Sequence, residues 1–109
     1  MSYNVLAIPP FDRQLKRLAK KYPSLKKEYS QLVDDLQLKP KLGVSLGHNC
    51  YKIRLSITSK GKGKSGGARL ITNFVIAEKS VYLLSIFDKS EKDNLSDKEL
   101  RELLKFVPK

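Results

Sequence analysis

Gly63, Lys64 and Ser65 have the residue types of a phosphate loop, in which backbone N–H groups and a lysine cradle phosphates. The spacing excludes a Walker loop. Thr58 stands where such a loop needs its first glycine, and Ala68 to Ile76 reads as a strand where a helix should follow. What remains is a glycine-rich stretch carrying Lys60, Lys62 and Lys64 with no acid among them, suited to clamping a phosphate backbone flexibly. His48 is the only histidine; lacking a second His or Cys at ligand spacing and a nucleophile to serve, it reads as a surface or capping residue. The single cysteine, Cys50, reads as packing, and it excludes an intramolecular disulfide. One Cys and one His cannot build a structural zinc site. Asp34, Asp35, Asp88, Glu91 and Asp93 show no paired arrangement, which speaks against metal-dependent or two-carboxylate hydrolysis. That leaves Lys52, Arg54, Arg69 and Lys89, basic residues on or beside strand-like segments. From residue type alone, plain solvation of an exposed strand face and a functional role both stay open for them.

A chain of 109 residues is about one domain's worth, so residues 1–109 are expected to form one unit with a core of its own. Twenty-two Lys and Arg against eleven Asp and Glu leave a net charge of +11, which points to a polyanionic partner: RNA, DNA or an acidic protein. Residues 1–54 carry eleven basic and four acidic side chains, residues 55–87 five and one, and residues 88–109 six of each. The basic field therefore belongs to the body and the glycine-lysine loop. No basic stretch followed by an apolar run opens the chain, and nowhere does an apolar run reach membrane-spanning length, so a cytoplasmic protein without membrane contact is expected.

The elements that must carry these side chains follow from periodicity. Tyr3 to Ile8 reads as an opening strand stopped by Pro9 and Pro10. Phe11, Leu15, Leu18, Ala19 and Tyr22 mark an amphipathic helix whose other face holds Arg13, Lys16, Arg17, Lys20 and Lys21. Leu25, Tyr29, Leu32, Val33 and Leu36 mark a second helix, from about Ser24 to Leu38, forming a tight hairpin with the first. Lys39 to Asn49, with Pro40, Gly43 and Gly47, reads as an irregular connection. Then Tyr51, Ile53, Leu55 and Ile57 alternate with Lys52, Arg54 and Ser56, giving a half-buried strand with a basic face. Ala68 to Ile76 and Val81 to Phe87 complete a meander, and Ser96 and Glu99 have the capping-box spacing that starts a last helix. The order β-α-α-β-β-β-α predicts an α+β fold: a helical hairpin on a mainly antiparallel four-stranded sheet, plus a C-terminal helix.

The run Cys50-Tyr51-Lys52-Ile53-Arg54, the stretch Gly63 to Arg69 opening a strand, then Tyr82-Leu83-Leu84 and Phe87-Asp88-Lys89-Ser90-Glu91 resemble the RelE/ParE toxin superfamily, particularly its HigB- and RelE-like members. The resemblance spans nearly the whole chain. It implies the toxin of a type II toxin–antitoxin module, neutralised by a cognate antitoxin, that cleaves mRNA on the ribosome through Lys and Arg without a metal or other cofactor. By motif, those catalytic residues map onto Lys52, Arg54, Arg69 and Lys89. Clustering of cations disfavours each charged form, which makes Lys52 the candidate proton acceptor. Lys60, Lys62 and Lys64 of the loop and Lys16 and Lys20 of the first helix are expected to hold RNA. A functional tyrosine of RelE has no counterpart in Asp93 to Asp97. The ParE branch implies an alternative, a gyrase poison without nuclease activity, and a non-catalytic basic RNA- or ribosome-binding protein is a third reading.

Overall fold

The structure, a computed structural model, describes residues 2–61 and 66–108. Along the chain run β1 (Asn4–Ala7), α1 (Pro9–Lys21), α2 (Leu25–Leu38), β2 (Val44–Gly47), β3 (Cys50–Leu55), β4 (Ala68–Val75), β5 (Ser80–Asp88) and α3 (Asp97–Leu104). The strands form one five-stranded sheet in the order β1-β5-β4-β3-β2. All neighbours are antiparallel except β1 and β5, which run parallel with Val5 opposite Val81 and Ala7 opposite Leu83. The fold is α+β, as the periodicity predicts.

The helices start and stop for local reasons. Pro9 and Pro10 occupy the first turn of α1, where a missing N–H costs nothing, and Lys20 and Lys21 lie in its last turn, beside the negative end of the helix dipole. Phe11 and Leu18 of α1 and Leu25, Leu32 and Leu36 of α2 turn into the core. Ser96 caps α3 through a full capping box, its hydroxyl accepting from Glu99 N while the Glu99 carboxylate accepts from Ser96 N.

β5, buried along its whole length, and β4, buried from Ala68 to Phe74, are the centre of the sheet. β1 covers β5 only from Ser80 to Leu83. Beyond it α1 takes over, with Gln14 Oε1 accepting from Ile86 N (3.0 Å) and Ser85 Oγ (2.9 Å).

Two sequence expectations change. Lys39 to Asn49 is not wholly irregular, because Val44–Gly47 pairs with β3 and raises the sheet from four strands to five. All four residues of β2 are exposed, so no buried face imposes an alternation. His48 (φ 54°) and Asn49 (φ 60°) form the turn between Gly47 and Cys50, the type I′ geometry that matches strand twist. The stretch after β3 also begins with order. Thr58–Lys60 makes a 3₁₀ turn tied to α2, where Glu28 Oε2 accepts from Thr58 N and Thr58 Oγ1 at 2.7 Å each.

Candidate active site

Strand register gathers the basic residues. Arg54 of β3 lies directly opposite Arg69 of β4, which lies opposite Phe87 of β5; Lys52 is opposite Ile71, and Ile71 opposite Ser85. Paired residues share a face and successive residues alternate, so Lys52, Arg54 and Arg69 stand on the same face in adjoining rows about 7 Å apart. Lys89 follows β5 immediately, and its N–H donates to Gly67 O (3.1 Å), carrying the Ala68–Asp88 pairing one step further. That step sets Lys89 at Arg69's end of the sheet, exposed. Gly67 has to be glycine. A Cβ there would lie 2.1 Å from Leu55 O, so only a bare backbone lets β4 enter beside the end of β3.

Arg69 is almost wholly buried, 3% exposed, with Nη1 donating to Ala68 O (3.2 Å) and Nε 3.6 Å from the Asp93 carboxylate. Lys52 Nζ donates to Asn94 Oδ1 at 2.7 Å. The segment between β5 and α3 thus lays two consecutive residues over two of the cations. The sequence offered no periodic signal for Asp93 and Asn94, which lie in neither a helix nor a strand. β2 pairs with β3 only as far as Lys52, and a groove of about 1020 Å³ lies between α2 and the rest of that edge, with Lys52 and Arg54 among its lining residues.

Lys60 does not project toward RNA as expected. Its ammonium is turned inward, donates to Asp88 Oδ1 and lies 5.8 Å from the Tyr22 ring centre, leaving the side chain 11% exposed. The reason is Asp88, whose side chain is fully buried and requires a counter-charge. Tyr22 OH donates to Oδ2 (2.6 Å), and Ser90 N (2.9 Å) and Oγ (2.8 Å) donate to Oδ1. Burial pushes the Asp88 carboxyl up, but these bonds from Lys60, Tyr22 and Ser90 outweigh it and hold the group well below the usual carboxylate range. Register puts Asp88 in line with Ala68 and Leu55, on the face opposite Arg69. Asp88 is a structural tie.

Lys62 and Lys64 lie outside the described residues. Lys16 and Lys20 stand on the exposed side of α1, on a different element from the strands that carry the basic row. His48 is exposed in its turn, and Cys50 is fully buried, burial pushing its thiol up. Among the described residues, no group of three or more His, Cys, Asp or Glu is placed to hold a metal ion.

Residues 11–108 match the family model described as the RelE toxin of the RelE/RelB toxin–antitoxin system. The chain belongs to the RelE toxin family. Solved structures agree on the fold. A mutant of the Escherichia coli toxin RelE in the free state is similar at a TM-score of 0.63 and 18% identity, covering 99% of this chain and 100% of that one. The isolated E. coli RelE toxin is similar at 0.57 and 16%, covering 97% and 100%. As a RelE-family protein this is a toxin of a toxin–antitoxin system, and its protein partner is a cognate antitoxin. Among the described residues, no helix is long and apolar enough to cross a membrane.

Proposed function

We propose that this RelE-family toxin is a ribosome-dependent mRNA endonuclease that stops translation in the cytoplasm. The observation that carries the reading is the register of β3 and β4, which sets Arg54 against Arg69 and Lys52 one row away on the same face. In the reaction the ribose 2′-oxygen bonds to the adjacent phosphorus and the bond to the 5′-oxygen breaks, leaving a 2′,3′-cyclic phosphate and a free 5′-hydroxyl. Negative charge grows on the equatorial oxygens. Arg69 offers a planar fork of donors that matches phosphate, and Arg54 holds the same or the neighbouring phosphate. Lys89, exposed just past β5 at Arg69's end of the sheet, adds a further cation for the phosphate. Lys52, whose ammonium is already in a donating role toward Asn94, serves as a donor to phosphate or to the leaving oxygen.

The groove beside β3 gives single-stranded RNA a path to the row, and the ribosome supplies orientation that the small toxin cannot, a contribution worth several orders of magnitude in rate. The test is single-turnover cleavage on programmed ribosomes. Lys52→Ala and Arg69→Ala are each expected to slow it about 100-fold or more, and Arg69→Lys to recover only part, because it keeps the charge but loses the fork. Unchanged rates in both alanine variants overturn the assignment. Toxicity with DNA breaks and intact transcripts would instead mark a gyrase poison.

A further inference from the structure

Attack by a 2′-hydroxyl requires something to take its proton, and near neutral pH that acceptor has to be unprotonated. A free lysine titrates near 10.4 and a carboxylate near 4, so a carboxylate is ready for the task and an ammonium is not. From the placement of the segment after β5 we propose that Asp93 is this acceptor, an inference that rests on the nuclease reading of the same site.

Of the carboxylates near the basic residues, Asp88 faces the other side of the sheet and is fully engaged by Lys60, Tyr22 and Ser90. Glu28 and Asp35, which line the groove with Lys52 and Arg54, belong to α2, where Glu28 accepts from Ser24 and Thr58 and Asp35 from Gln31. Asp93 is different. One carboxylate oxygen lies 3.6 Å from Arg69 Nε while the side chain stays 60% exposed, so it is held at the row from one side and open to a substrate on the other. The segment that carries it is pinned at both ends. Glu91 N and Lys92 N donate to Asp88 O (3.0 and 3.1 Å), Lys92 Nζ pairs with Glu99, Leu95 packs on the core, and Ser96 closes the cap of α3. Asn94, the next residue, receives the Lys52 hydrogen bond, so two adjacent residues meet two adjacent rows of the sheet. Such positioning ahead of substrate binding is what proton transfer needs.

In the step, O2′ bonds to phosphorus as its proton passes to a carboxylate oxygen of Asp93. The P–O5′ bond breaks, its electron pair leaves on O5′, and that oxygen takes a proton from the Lys52 ammonium. With Arg69 Nε 3.6 Å from the carboxylate, a phosphate drawn to the basic row would lie within reach of the acceptor. Lys52 then acts as the donor, in place of the acceptor role that the clustering of cations in the sequence suggests.

The experiment compares the unsubstituted toxin with Asp93→Asn, Asp93→Glu and Asp93→Ala on programmed ribosomes. Two readouts are taken: single-turnover cleavage, and binding to ribosomes whose mRNA carries a 2′-deoxy nucleotide at the scissile position. Asp93→Asn is expected to cleave about 100-fold or more slowly while binding the deoxy substrate at least as tightly, Asp93→Glu to retain part of the rate, and Asp93→Ala to be partly rescued by added formate. Cleavage by Asp93→Asn at the unsubstituted rate or faster overturns the inference; a faster rate with tighter binding marks Asp93 as a mere cover over Arg69. If the inference alone is wrong, Lys52→Ala and Arg69→Ala still lose activity. If the unsubstituted toxin leaves mRNA intact, the nuclease reading and this inference fall together.

Discussion

Tyr22 at the end of α1, Lys60 in the turn after β3 and Ser90 after β5 converge on one carboxylate, that of Asp88. Their hydrogen bonds join three distant stretches of chain at the end of the sheet where the basic row lies. Removing the charge would leave the Lys60 ammonium, itself nearly buried, without its counter-ion. Asp88→Asn is therefore expected to cost about 3–5 kcal/mol at pH 7, measured by urea unfolding. A pH series checks the cause. The folded-state pKa of Asp88 is depressed, so its contribution is complete above the ordinary aspartate value near 3.9 and is lost as pH falls from there through the folded value. The gap in stability between the natural chain and Asp88→Asn should thus begin to narrow as pH falls below about 4 and go on narrowing toward the depressed folded value. A constant gap over that range would mean that the loss comes from packing. Glu99 adds to the acid sensitivity of both proteins alike: the Lys92 hydrogen bond, then that of Ser96 N, holds it down to about 2. The sequence showed Lys60 as one of three loop lysines without a nearby acid, since nothing in linear order brings it to a residue 28 positions on.

At the scale of elements, what could be read depended on whether burial left a period behind. α1, α2 and α3 each bury one stripe, and their spacing gave them away within a residue or two; β4 and β5 announced themselves as apolar runs between turn residues. β2 buries nothing, and its turn uses His48 and Asn49 at positive φ where glycine would have been the clear signal. The sheet surface of the site followed from alternation in β3 alone, whereas its cover by Asp93 and Asn94 rests on long-range packing with no local pattern. β2 still matters to the site, through Gly43. With φ +99° it is in a backbone region that side chains resist, and a Cβ would sit 2.3 Å from Lys52 O. Gly43→Ala is expected to destabilise the fold by about 1–3 kcal/mol and to slow cleavage by shifting Lys52. Gly47→Ala is the comparison: it shares a positive φ of 86° but meets nothing within 4 Å, so it should lower the urea midpoint and leave cleavage alone. Equal cleavage by the two variants would break the link between this loop and Lys52.

Over the whole molecule the net charge of +11 is distributed so that the helical hairpin and the basic row share it, while residues 88–109 balance their charges. Arg13, Lys16, Arg17, Lys20 and Lys21 of α1, with Lys26 and Lys27 of α2, are all exposed, so the hairpin presents a cationic surface apart from the row on the sheet. Such a surface draws in phosphate backbone by releasing counterions, an effect that acts on affinity and says nothing about bond breaking. Removing part of it should separate the two. The double variant Lys16→Ala/Lys20→Ala is expected to bind programmed ribosomes more weakly at physiological salt, with the slope of log K against log salt reduced by about 1.4–1.8, about 0.7–0.9 per lost phosphate contact. Its single-turnover rate at saturating toxin should match that of the natural chain, because a lysine that only holds phosphate backbone acts on affinity and not on the chemical step. An unchanged salt slope would remove α1 from the ribosome contact, and a loss of rate at saturation would show that the hairpin orients the substrate as well as holding it.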